Sequence, residues 1–133
     1  MTRRQLLWAR ILFGLYLVAV AVLCLARFPE SEDVPKALWG IPMDKIVHFL
    51  MFFPFPVLAY LAFDRYPGKR GASVLRTAAA LLCGCAFAAV TELVQSRLPY
   101  RSGDPADFRA DAFALLLSSV LVLILILVQK KRK

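Results

Sequence analysis

His48, Glu92 and Asp107 are the side chains in this sequence best suited to moving a proton. Histidine titrates near neutral pH, and a carboxylate set within apolar sequence is costly enough to mark a functional position by default. Asp44, Lys45, Gln95, Arg101 and Asp111 stand close to them along three apolar segments and can hydrogen-bond or hold a charged group. The chemistry open to this set is general acid–base catalysis by His48 with Glu92 or Asp107. The substrate's anionic headgroup would rest on Lys45 and Arg101. Ser96 and Ser102 lack the surroundings of a nucleophile. The chain holds 1 histidine, which excludes a multi-histidine zinc site. A divalent-cation site of His48, Glu92 and Asp107 is an alternative, but no metal is assigned and no cofactor is expected.

Each of these residues also has a purely structural reading. "GDPAD" is a helix start, with Asp104 as N-cap, Pro105 at N1 and Asp107 at N3. Capping is the preferred role for Asp104, whereas Asp107 suits either role. Lys45 can mark an interface by snorkelling, and His48 or Gln95 can be packing residues satisfied across helices. Glu92 could lock a bundle by pairing with Arg101 or His48.

The elements that must position these groups are helices of membrane length. Hydrophobic residues make up 60% of the 133-residue chain, and mean hydropathy is +0.65. One domain fits that length. Four apolar segments are readable, Leu6–Ala26, Ile46–Phe63, Thr77–Val94 and Ala112–Val128, each near the roughly 17–25 residues that cross a bilayer. The fold class expected is all-α, a bundle of four transmembrane helices. Arg10 lies close enough to the start of the first segment to snorkel. Pro54 and Pro56 of "FFPFP" remove donors to the carbonyls of Leu50 and Phe52, so the second helix should kink there. The N-terminal segment also resembles a signal peptide, but its long apolar run and lack of a clear cleavage site favour a retained span. Cys24, Cys83 and Cys85 fall within spans and read as small packing residues, not as a disulfide framework.

Helical spacing gathers the polar groups. Gly84, Ala88, Thr91, Glu92 and Gln95 fall within an arc of about 100° on the third segment, a stripe of small residues ending in two polar ones. Asp44 and His48 are i and i+4, and Asp104, Asp107 and Asp111 run i, i+3, i+7. Ala114 and Ser118 continue the last row with small side chains. His48 lies about 6 Å below Asp44, and Glu92 about 9 Å below Leu98, at 1.5 Å per residue. The expectation is a shallow pocket lined by His48, Glu92, Gln95, Asp107 and Asp111, with Lys45 and Arg101 at its rim.

The pieces "DKIVHFLMFF" (Asp44 to Phe53), "TELVQSRLPYR" (Thr91 to Arg101) and "DFRAD" (Asp107 to Asp111) together resemble the VanZ-like family of small bacterial membrane proteins. The family pattern is D-K-x-x-H-F, then E-x-x-Q, a loop arginine, and D-x-x-x-N at the head of the last helix. Here Asp111 stands at the asparagine position and Ala114 where a glycine commonly follows. The first change adds negative charge, and the second leaves the packing close but less tight. The resemblance implies an envelope-facing role in a bacterial cytoplasmic membrane, in a family named for a member associated with teicoplanin resistance. It supplies no settled molecular activity.

Three functions compete at this point. One is an enzyme acting on a lipid-linked envelope precursor or membrane lipid. Another is a bundle that binds such a molecule without chemistry. The third is a partner subunit or small transporter component with His48 and Glu92 as a proton-linked pair. The chain shows no internal repeat, which disfavours a transporter acting as a monomer. Oligomeric state is left open.

Net charge is +8, but its distribution argues for topology and anionic lipid rather than nucleic acid. Arg3, Arg4 and Arg10, then Arg65, Lys69, Arg70 and Arg76, then Lys130 to Lys133 are accompanied by a single acid, Asp64. The remaining loops mix both signs. Both termini and the middle loop are therefore expected in the cytoplasm, with the pocket facing the extracytoplasmic side. A reporter fused after Lys133 should respond as a cytoplasmic one, and an external response would overturn this orientation.

Overall fold

The computed structural model describes residues 1–27, 33–63, 69–101 and 103–129. Ser102, Asp64, Arg65 and the basic tail from Lys130 lie outside them. The elements are α1 (Arg3–Leu25), β1 (Ala37–Leu38), β2 (Ile41–Pro42), α2 (Met43–Phe52), α3 (Phe55–Phe63), α4 (Arg70–Gln95) and α5 (Pro105–Val128). Four stretches, Arg3–Leu25, Met43–Phe63, Arg70–Gln95 and Pro105–Val128, are long and apolar enough to cross a membrane. The all-α expectation therefore holds. The helices run past the apolar segments at most ends, because polar residues extend them into their caps. At α1, Thr2 and Gln5 form a reciprocal capping box. At α5, the Asp104 carboxylate accepts the Ala106 N–H at 2.9 Å, with Pro105 in the first turn.

The helix break expected at "FFPFP" separates α2 from α3 at Phe53 and Pro54. It sends the two halves to different partners. α2 packs mainly on α5, while α3 lies against α1, α4 and α5. The Tyr16 hydroxyl of α1 donates to the Met51 carbonyl just before the break. A backbone group beside the interrupted ladder is thereby satisfied from a neighbouring helix.

The core is built where small residues let helices approach. Gly84, Ala88 and Thr91 of α4 are buried, as are Ala114, Leu115 and Ser118 of α5. A Cβ at Gly84 would lie 2.6 Å from Leu115 Cδ2 and 3.1 Å from Phe55 Cδ1. Glycine thus sets the spacing of α3, α4 and α5. Two hydroxyls of α4 are satisfied within the helix, Thr77 donating to the Ser73 carbonyl at 2.9 Å and Thr91 to that of Ala88 at 2.8 Å, whereas the buried Ser118 and Ser119 hydroxyls of α5 find no partner among the described residues. Cys24 is buried in the core, Cys85 is half-buried and Cys83 is exposed, all as free thiols.

The β-hairpin before α2 is an element the sequence reading did not anticipate. Leu38 pairs with Ile41 around a two-residue turn in which Trp39 (φ 50) and Gly40 (φ 78) are both left-handed. The Met43 N–H bonds the Lys36 carbonyl at 3.0 Å, so the hairpin runs directly into α2.

Gly84→Val should cost about 1–3 kcal/mol by overpacking. Gly71→Ala, whose Cβ would meet open space, should leave stability unchanged or slightly raised. Unfolding midpoints in mixed micelles check the pair, and equal midpoints would count against the close approach at Gly84.

Candidate functional site

The site forms where the N-terminal turns of α2 and α5 pack together. Asp44 and Asp107 each sit in the first turn of their helix, where a carboxylate complements the exposed N–H groups. Lys45 lies between them. Its Nζ donates to Asp44 Oδ2 at 2.8 Å, Asp104 Oδ2 at 2.7 Å and Asp107 Oδ1 at 2.5 Å. All three are charge-assisted bonds, and two of them tie α2 to α5 and its cap. The Lys45 ammonium holds the Asp104 carboxyl below the usual carboxylate range, helped by the Ala106 N–H. Its ion pair therefore stands above ordinary carboxylate values and is lost only as pH falls through the lowered one.

One turn deeper on α2, the His48 Nδ1 lies 3.0 Å from Asp111 Oδ1, and both side chains are buried. With Asp111 ionised, Nδ1 carries the shared hydrogen and Nε2 is left as the basic nitrogen. The Asp107 Oδ2 stands 3.6 Å from Nε2, too far for a hydrogen bond. Asp111, at the position where the family pattern has asparagine, thus orients the imidazole. Its other oxygen, Oδ2, is buried with no partner among the described residues.

Gln95 and Arg101 are brought to the C-terminal end of α1. Gln95 Nε2 donates to the Cys24 carbonyl at 2.7 Å, and an Arg101 terminal nitrogen to those of Leu23 and Ala26, each at 3.0 Å. The Tyr100 hydroxyl donates to the Leu25 carbonyl at 2.9 Å. Together they satisfy the orphan carbonyls of a helix end that has no basic residue of its own. Tyr100 carried no signal of this role beyond its place beside Arg101.

Glu92 is engaged differently from either expected ion pair. Its Oε1 accepts the Asp104 N–H, and its Oε2 is buried with no partner among the described residues. Among the described residues it makes no ion pair with Arg101 or His48. The loop must come very close for this contact. A Cβ at Gly103 would lie 2.5 Å from the Ser96 Cβ and 3.0 Å from its Cα, so Gly103 leaves the room.

Two hollows flank the cluster. One, of about 390 Å³, opens between α1, α2 and α4 and is lined by Asp44, His48, Gln95 and Arg101 with the apolar Val47 and Met51. The other, also about 390 Å³, lies on the far side of α4 and is lined by Glu92, Ser96, Gly103 and Phe108. Among the described residues, the carboxylates close enough to share a cation are Asp44, Asp104 and Asp107, within 4.8 Å of one another. His48, Glu92 and Asp107 do not converge as ligands. Lys45 already bonds all three of those acids, so its ammonium takes the place a divalent ion would need.

Lys45→Met should therefore cost on the order of 2 kcal/mol, since three neighbouring carboxylates lose their cation. Millimolar calcium should raise the unfolding midpoint of this variant and leave that of the unmodified protein unchanged. An equal response of the two would show that Lys45 does not fill a cation position.

The comparisons with known proteins follow this geometry. No curated protein and no solved structure matches the chain. A family model described as VanZ/LLP1 matches residues 13–127. That match reaches into all four membrane-length helices and encloses every residue of the polar cluster, and the chain belongs to the VanZ/LLP1 family.

Proposed function

We propose that this chain is a multi-pass protein of the bacterial cytoplasmic membrane whose polar end faces outward and takes a lipid, or a lipid-linked anionic envelope molecule, by its headgroup. The ligand enters the hollow between α1, α2 and α4. The observation that carries this reading is the wall of that hollow, where the His48 imidazole, held by buried Asp111, stands with the Arg101 guanidinium. An anionic oxygen on Arg101 would lie beside a histidine whose Nε2 makes no hydrogen bond among the described residues. That arrangement suits general acid–base work by His48, with Asp107 on the same nitrogen's side. Glu92 contributes from the adjoining hollow, with one oxygen holding the loop and the other with no partner among the described residues. Modifying or sequestering an envelope molecule in this way would contribute to glycopeptide or lipopeptide resistance.

A second reading, capture without chemistry, draws on one observation: Lys45, Gln95 and Arg101 all make bonds within the protein. In that case the polar end serves as a rigid headgroup cradle, alone or as a subunit of a larger assembly.

The two readings separate by substitution. For the enzyme, His48→Ala and Glu92→Gln should each abolish protection of cells against glycopeptide while folded protein stays at its normal level. The glutamine keeps an oxygen to accept the Asp104 N–H, so the loop contact survives. For simple capture, Glu92→Gln should be tolerated and Arg101→Ala should reduce retained ligand. Tyr100→Phe, which removes an α1 contact but does not line the hollow, separates loss of the headgroup cation from loosening of α1. Full protection with both His48→Ala and Glu92→Gln would sink the catalytic reading. Unchanged ligand retention in Arg101→Ala would remove the headgroup role.

A further inference from the structure

The opposite, basic end of the molecule carries a cavity unrelated to the polar cluster. It measures about 450 Å³, lies between α1, α3 and α4, and is walled by Phe13, Phe55, Phe63 and Phe87 with Cys83 and Arg76. The small Ala79 and Ala80 of α4 leave the space between its aromatic walls. A slot so apolar does not hold water, and in a bilayer the groups at hand to fill it are acyl chains.

Its length fits one chain of one leaflet. Arg76 and Phe87 lie eleven residues apart on α4, about 16 Å along the axis, which is close to half of a roughly 30 Å hydrocarbon layer. The slot is also charged at one end only. Arg76 lines it there, and Arg10 reaches the same mouth from α1. The Arg10 Nε donates to the Ala62 carbonyl at 3.2 Å, and its guanidinium carbon lies 6.0 Å from the centre of the Phe63 ring. The two arginines lie toward the same end of the molecule. α1 and α4 run in the same direction, since Gln95 at the end of α4 meets Cys24 at the end of α1. Counted back from that contact, Arg10 lies about 21 Å away and Arg76 about 28 Å, so Arg76 is the nearer of the two to the basic end. Both carry long apolar stems that let the guanidinium rise toward the headgroups.

We propose that the groove between α1, α3 and α4 binds one anionic phospholipid of the leaflet at the basic end, with its acyl chain along Phe55 and Phe87 and its phosphate on Arg76 and Arg10. Charge complementarity selects the headgroup, because basic pockets between membrane helices favour anionic lipid. The apolar length selects a lipid over a free phosphate. This site stands apart from the headgroup hollow at the polar end and needs no chemistry there.

Native mass spectrometry of the full chain, incubated with phosphatidylglycerol or phosphatidylcholine in mild detergent, tests it. One phosphatidylglycerol should be retained in preference to phosphatidylcholine by about tenfold. The double variant Arg10→Gln/Arg76→Gln should lose that preference. Cys83→Trp, at an exposed position on the groove wall, should lose the bound lipid itself while remaining folded. Tyr100→Phe, at the polar end but outside the lining of its hollow, should keep it. Equal retention of the two lipids by the unmodified protein would overturn the proposal. So would retention that falls in Arg101→Ala but not in the groove variants, since that would place the lipid at the other end.

Discussion

The Lys45 ammonium reaches from the first turn of α2 to the first turn of α5 and gathers Asp44, Asp104 and Asp107 around one cation. Each carboxylate has a local reason to be there, at or next to a helix N-terminus. Together, at the edge of a low-dielectric layer, they would repel one another and drive the helices apart. A single positive charge turns that repulsion into a clamp. Everything at the polar end depends on it. The α2–α5 contact places His48 against Asp111, and the fixed position of Asp104 brings its N–H to Glu92. The acids of the site hold the structure together, Asp104 as both helix cap and ion-pair partner.

A related constraint governs the backbone. Helices in lipid have no water with which to satisfy the carbonyls at their ends or beside a break. Here those carbonyls are met from other helices, by Tyr16 at the α2–α3 break and by Gln95, Tyr100 and Arg101 at the end of α1. Polar side chains that look like binding residues in a one-dimensional reading are partly occupied by this duty. Arg101 and Gln95 line the hollow and also hold α1. A ligand reaching Arg101 would therefore meet a guanidinium already oriented, with little freedom left to lose on binding.

Much of this was legible in the sequence, for identifiable reasons. The four long apolar segments, the break at Pro54 and Pro56, the cap at Asp104 and the small-residue face of α4 follow from local rules about donors, dihedral angles and side-chain size. The gathering of His48, Asp107 and Asp111 followed from helical spacing plus the assumption that polar groups face inward. What spacing could not give was the direction taken by long side chains. Lys45, read as a rim cation, turns inward because three acids outcompete water for it. Glu92, read as facing His48, bonds a backbone N–H of the next loop, a contact that depends on the glycine at 103. The hairpin around Trp39 was invisible because its strands are two residues each, with no alternating pattern to detect.

The clamp on the end of α1 also bears on how such a chain is made. Ribosomes deliver α1 to the membrane first, yet the groups that close its carbonyl end are Gln95, Tyr100 and Arg101. Lys45 has Asp44 beside it from the outset and gains Asp104 and Asp107 later. Before that short stretch is present, the first two spans have their contacts with each other, Tyr16 on the Met51 carbonyl and Arg10 on that of Ala62. Its arrival supplies both sets of contacts, from the end of α4, the loop after it and the first turn of the last helix.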